Sequence, residues 1–153
     1  HKEIGYNYRM SNVVAGIGRG QLKVLNERIA KKKEIYETYK EAFKDIEDIE
    51  MMNICDFGES NYWLSVMTLK ETSKVKPLDI MLALEKENIE SRPVWKPMHL
   101  QPIFKYYLFF TVSEETSVSE DYFNRGVCLP SDTKMTNEQQ EKIIELIRRL
   151  FAK

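Results

Sequence analysis

Two short stretches of this chain concentrate side chains suited to holding an anion. The first is Gly5-Tyr6-Asn7-Tyr8-Arg9-Met10-Ser11, where an amide, a guanidinium and a hydroxyl crowd together. Ser11 is a candidate N-cap, so the stretch leads into a helix start, where unpaired N–H groups and the helix dipole favour negative charge. A capped start alone would need only Ser11, which leaves the polar groups at Asn7 and Arg9 unexplained by local structure. The second stretch is Arg92 to Gln101, carrying Arg92, Trp95, Lys96, His99 and Gln101 among Pro93, Pro97 and the following Pro102. Proline denies helix and ladder hydrogen bonds, which makes this an ordered loop. A loop stiffened in this way can hold a phosphorylated or sugar ligand without a large ordering cost. The competing reading is a surface loop anchored by a buried Trp95.

Other constellations point to packing. Gly16, Gly18 and Gly20 are spaced like part of a phosphate-binding loop but lack a preceding strand and the dinucleotide spacing, so close approach of another backbone explains them better. His1 and His99 have no metal-ligand partners at useful spacing, and Cys55 and Cys128 form no CxxC pair, so no metal site and no disulfide scaffold is expected. Glu85, Glu87 and Glu90 read as a solvated face, and no serine or cysteine has an evident base beside it. The sequence holds no self-contained catalytic set. With 23 basic and 24 acidic residues interspersed and a net charge of -1, no field favours nucleic acid or an anionic membrane. Apolar runs fall well short of the roughly 20 residues a membrane span needs, and no signal-peptide pattern is present. A cytoplasmic setting is expected.

The elements that must position these stretches follow from periodicity. No proline interrupts the chain from Ser11 to Pro77, and Leu22, Leu25, Ile29, Tyr36, Tyr39 and Phe43 recur at helical steps, with Lys32 in the one polar slot. One long amphipathic helix is predicted, its glycine-containing start a packing seam. Residues 46–54 are ambiguous; Asn61 to Leu69 reads as a central strand. Pro77 opens a helix with Ile80, Met81, Leu82 and Leu84 on its apolar side, closed by Asn88, and Ile89 to Arg92 extends as a short strand. Val118 to Arg125 reads as a helix stopped by Gly126, Val127 to Leu129 as a strand, and Pro130 to Asp132 as a turn. Thr136 and Gln139 make a capping box for a last helix with Ile143, Ile144, Ile147, Leu150 and Phe151 on one face. The expected fold class is α+β: a long N-terminal helix and a small, mostly antiparallel sheet covered by helices on one face. At 153 residues, one hydrophobic core is the default.

In order along the chain, His1 to Asn12, Gln21-Leu22, Ser60 to Trp63, Ile89 to Pro93, Met98 to Pro102, Cys128 to Ser131 and Met135-Thr136 resemble the DegT/DnrJ-type nucleotide-sugar aminotransferases, a branch of the fold-type I pyridoxal-phosphate enzymes. The resemblance covers essentially the whole chain. It implies that residues 1–45 are an opening loop and interdomain helix and residues 46–153 a small C-terminal domain. It further implies a homodimer in which a lysine of a large domain carries pyridoxal 5'-phosphate, and an amino donor, commonly glutamate, supplies nitrogen to a keto sugar on a nucleotide. By the same resemblance Asn7 holds the cofactor phosphate of the neighbouring subunit, with Arg9 assisting. Arg92, Trp95, Lys96 and His99 then form the substrate loop, in a form similar to enzymes of UDP-linked 4-keto-6-deoxy-HexNAc sugars in surface polysaccharide or glycan biosynthesis.

The cofactor-bearing lysine has no counterpart here, so no residue of this chain is expected to be catalytic, and this piece alone is expected to be inactive. Residues 4–9 read as mid-protein sequence, which points to a longer parent. Two other functions fit: a sugar 3-dehydratase of the same fold, which carries histidine in place of the lysine, and an α+β interaction domain without chemistry. Val13, Val14 and Ile17 are expected to form an exposed apolar surface that another domain or subunit covers.

Overall fold

Ser11 caps the first helix as anticipated, its Oγ accepting the Val14 N–H at 3.3 Å. The computed structural model describes residues 8–112 and 117–152. The single long helix is two: α1 spans Asn12–Leu22 and α2 spans Leu25–Phe43. The break falls where Lys23 and Val24 donate to the carbonyls of Gly20 and Gln21, three residues back rather than four, and Val24 leaves helical geometry at φ -113°. Three glycines just upstream, each roughly 1 kcal/mol poorer than alanine in a helix, weaken the continuous alternative. The expected packing seam is not made within the described residues. Nothing approaches within 4 Å of where a Cβ would lie on Gly16, Gly18 or Gly20, and α1 buries no residue.

The second half of α2 builds the core. Ile35, Tyr36, Tyr39 and Phe43 are all at most 2% exposed and pack with Met51, Met67, Leu69, Val127 and Leu129 from the sheet. Burying each such side chain contributes roughly 1.5–3 kcal/mol over leaving it in water. The ambiguous segment supplies β1 at Ile49–Met51, and the predicted central strand shortens to β2 at Ser65–Leu69. Its first residues are lost to side-chain competition. Ser60 Oγ captures the Tyr62 N–H at 3.0 Å, Asn61 Oδ1 captures the Trp63 N–H at 3.1 Å, and Tyr62 takes φ 51°.

Pro77 does open the next helix, α3, at Pro77–Glu85, with Ile80 and Leu84 buried. Leu82 is exposed, a correction to its predicted place on the apolar side. Asn88 turns left-handed at φ 57°, and the Ile89 N–H returns to Leu84 O at 3.0 Å. β3 comprises only Arg92–Pro93, and β4 follows α4 (Val118–Arg125) without a loop, at Gly126–Leu129. The strand order β1-β2-β4-β3 is antiparallel throughout. Pro93 is tolerated in a ladder because β3 is an edge strand. Gly126 ends α4 without the left-handed turn that glycine usually supplies: its φ is -97°. A Cβ there would collide with Tyr122 O and Val94 Cγ2, so the glycine is needed for room.

Finally α5, Asn137–Phe151, begins with the predicted reciprocal capping of Thr136 and Gln139 and buries Ile143 and Ile147 against the core. Helices α2, α3 and α5 thus cover one sheet face, as the α+β reading requires. No helix among the described residues is long and apolar enough to cross a membrane, and none of their His, Cys, Asp or Glu side chains group as metal ligands.

Candidate functional site

The proline-stiffened loop leaves the sheet at β3, and its charged groups stay accessible there. Arg92 pairs with Cys128 in the ladder while its exposed guanidinium meets Glu90, Nε at 2.7 Å and Nη2 at 2.5 Å from the same carboxylate oxygen. Trp95 is 62% exposed, which removes the buried-anchor reading of this loop. Its indole lies 5.6 Å, centroid to centroid and tilted by 35°, from that of Trp63, itself 64% exposed. The two rings form an aromatic pair open to solvent. Lys96 is exposed, its carbonyl accepting from Gln101 Nε2 at 3.4 Å, and Pro97 is buried beneath. The loop is therefore anchored by a proline and presents its guanidinium, indole and ammonium groups outward from the core.

His99 is placed differently. It sits on a 3₁₀ turn at Met98–Leu100 with its side chain 14% exposed, Nε2 2.8 Å from Glu120 Oε1 of α4. Its ring stacks on Phe109 at 3.5 Å between centroids and 16° between planes. In this state His99 is committed to a carboxylate and an aromatic face, so of the four predicted loop residues only Arg92, Trp95 and Lys96 are exposed.

At the other candidate stretch, Arg9 is exposed two residues ahead of the Ser11 cap, and the first turn of α1 carries no acidic side chain. An anion at this helix start would meet the dipole's positive end and no carboxylate of that turn. Asn7 lies outside the described residues.

Two residues the site reading missed join the loop to the core. Lys32, assigned only a polar slot in the α2 stripe, reaches across to donate to Trp63 O at 3.1 Å and to Ser131 O at 2.5 Å. Burial lowers its pKa, and Asp132 opposes that shift. The sequence predicts a strand at Trp63, but the residue precedes β2 and carries the ring that meets Trp95. The available signal was the lone lysine in an otherwise apolar helical row; its partners, 31 and 99 residues away, were not inferable.

Comparison with known proteins adds a consistent picture. The sequence profile of the DegT/DnrJ/EryC1/StrS aminotransferase family matches residues 1–148. EpsN of Bacillus subtilis (strain 168), named as a pyridoxal phosphate-dependent aminotransferase, is 45% identical over 151 residues, covering 99% of this chain and 38% of the relative. GDP-perosamine synthase of Escherichia coli O157:H7 is 32% identical, covering 99% of this chain and 39% of its own length. The crystal structure of a DegT DnrJ EryC1 StrS aminotransferase from Brucella abortus superposes with a TM-score of 0.79 at 25% identity, over 98% of this chain and 38% of that one. The chain spans about two fifths of the length of these relatives.

Proposed function

Since this chain belongs to the DegT/DnrJ/EryC1/StrS aminotransferase family, we propose that it is the C-terminal small domain, with its interdomain helix, of a pyridoxal-phosphate-dependent sugar aminotransferase. Residues 1–45 connect to the large domain, and residues 46–153 form the small one. The whole enzyme works in the cytoplasm as a homodimer. It moves an amino group from glutamate to a nucleotide-linked keto sugar, a UDP-linked 4-keto-6-deoxy-HexNAc, for surface polysaccharide or glycan synthesis. The observation that carries this reading is the family match from residue 1 to residue 148 over a chain that presents Arg92, Trp95 and Lys96 together at the end of β3.

Bound pyridoxal phosphate supplies the carrier chemistry for the amino group; the residues of this chain bind and orient. Asn7 and Arg9 hold the cofactor phosphate of the neighbouring subunit, a role that fits the acid-free first turn of α1. Arg92 and Lys96 neutralise the nucleotide diphosphate, Trp95 covers an apolar face of the substrate, and His99 donates to it on release from Glu120. Arg92 exchanges Glu90 for phosphate oxygens at modest cost, because an exposed ion pair is worth only about 0–1 kcal/mol.

The test uses the full-length enzyme with ¹⁵N-glutamate and the UDP-linked keto sugar. Mass spectrometry should find ¹⁵N in the sugar. A deoxygenated, nitrogen-free sugar would make the enzyme a dehydratase and overturn the reading, and turnover of GDP-linked substrate alone would overturn the choice of nucleotide. Arg92→Ala and Lys96→Ala should each raise the KM for the nucleotide sugar about tenfold to a hundredfold, the value of a hydrogen bond to a charged group. The glutamate half-reaction should keep its rate.

A further inference from the structure

The end of the β2–β4 ladder has more carbonyls than N–H groups. The last paired residues are Ser65 and Leu129, so the same register carried two residues further sets Trp63 opposite Ser131. The ladder stops short of that pair for chemical reasons. Pro130 has no N–H to give, and the N–H groups of Tyr62 and Trp63 are already taken by Ser60 and Asn61. Buried or half-buried carbonyls left in this position would lose a hydrogen bond's worth of stability each.

Helix α2 supplies the missing donors from one face. Lys32, Tyr36 and Tyr39 stand at i, i+4 and i+7. Lys32 Nζ donates to Trp63 O and Ser131 O and Tyr39 to Pro130 O at 2.8 Å, while Tyr36 between them donates at 2.7 Å to Met52 O, just past β1. An ammonium suits the first position because its donors fan out from one atom and can meet two converging carbonyls at once, which neither a hydroxyl nor a carboxylate can do. Asp132, next to one of those carbonyls, is the counter-charge. Lys32 thus replaces a rung of the sheet, and it grips the main chain of Trp63, whose ring meets Trp95.

We propose that Lys32 is a positioning residue for the substrate loop: by closing the β2–β4 ladder it fixes Trp63, and Trp63 sets where the Trp95 indole stands between Arg92, which β4 holds, and Lys96. The rest of the loop has anchors of its own. Arg92 and Pro93 pair with β4, Val94 lies against Gly126, Pro97 is buried, Gln101 donates to Lys96 O and His99 meets Glu120, so it is the Trp95 ring that the indole pair holds. The link to substrate rests on the aminotransferase reading; the geometric link does not.

The chain has two tryptophans, so coupling between their indoles gives a circular-dichroism couplet that reports this pair directly. Trp95→Phe should abolish the couplet and so assign it. Lys32→Met should cut it by half or more while far-UV helix content stays native, and Lys32→Arg should restore most of it. A folded Lys32→Met chain with the full couplet overturns the proposal, because a residue that only adds stability would leave the pair intact below the melting temperature. Should Lys32→Met fail to fold, Lys32→Gln, which can serve one carbonyl, decides by the same couplet. In the full-length enzyme Lys32→Met should raise KM for the nucleotide sugar severalfold at unchanged rate of the glutamate half-reaction, again with rescue by Lys32→Arg. Loss of the couplet together with an enzyme that does not aminate any nucleotide sugar would keep the positioning role and refute the substrate reading; an intact couplet refutes the positioning role whatever the enzyme does.

Discussion

A methyl group at position 126 would meet the Tyr122 carbonyl and the Val94 side chain at once, whereas one at position 18 would meet nothing. The same substitution therefore has opposite outcomes at the two sites. Gly126→Ala should destabilise the chain by about 1–3 kcal/mol, the usual cost of overpacking, read as a lower urea midpoint at unchanged slope. Gly18→Ala should raise far-UV helicity through α1 and leave the midpoint alone, since α1 buries no residue. An unchanged midpoint in Gly126→Ala would mean that both the Val94 side chain and the Tyr122 carbonyl can give way. At this scale the sequence was a partial guide. It marked Arg92, Trp95, Lys96 and His99 as exceptional, and three of them are exposed together. It could not tell that His99 turns to Glu120 and Phe109, because that choice is made by a helix 21 residues away. Lys32 was hidden for the same reason: a lysine in an apolar row looks solvated until its carbonyl partners are known.

Between elements, α2 and α5 are joined at their C-terminal ends by an ion pair with testable consequences. Arg148 donates to both carboxylate oxygens of Asp45 at 2.7 and 2.6 Å and also to Ala42 O. The side-chain hydrogen bond from Arg148 pulls the Asp45 pKa from about 3.8 down to about 2. A carboxyl whose folded pKa is depressed stabilises the fold above its ordinary value and loses that contribution as protonation sets in, here between about pH 4 and pH 2. The melting temperature of the wild type should therefore fall more steeply across that window than that of Asp45→Asn, and parallel curves would show that the pair contributes nothing. Elements with strong local signals were legible in part: the Thr136 capping box opens α5, and the helical stripe is buried from Tyr36 to Phe43, whereas Leu22, which falls in α1, and Leu25 are exposed. The break at Lys23–Val24 and the lost start of β2 were not. Both arise from short-range hydrogen bonds competing with the regular pattern, and periodicity does not register such competition.

For the molecule as a whole, the telling surface is α1, where Val13, Val14 and Ile17 are 74%, 53% and 61% exposed, as the sequence led us to expect. An exposed apolar helix face of this kind is a place where another protein surface can dock, and under the proposed function that surface is the large domain or the second subunit. If Asn7 serves the partner's cofactor, then Asn7→Ala in the full-length dimer should weaken cofactor binding roughly tenfold to a hundredfold. Mixing it with a variant lacking the cofactor-bearing lysine should restore near-normal affinity at the one site combining an intact lysine with a partner's intact Asn7. Hybrids that bind no better than the Asn7→Ala homodimer would place Asn7 in its own subunit or outside the site. The β3 edge of the sheet carries a different instruction. β3 is two residues long, and one of them is Pro93, which has no N–H to offer. A neighbouring chain finds no ladder to extend along that edge, so fibril growth by strand addition is closed there and is left to the other edge of the sheet, the three-residue β1.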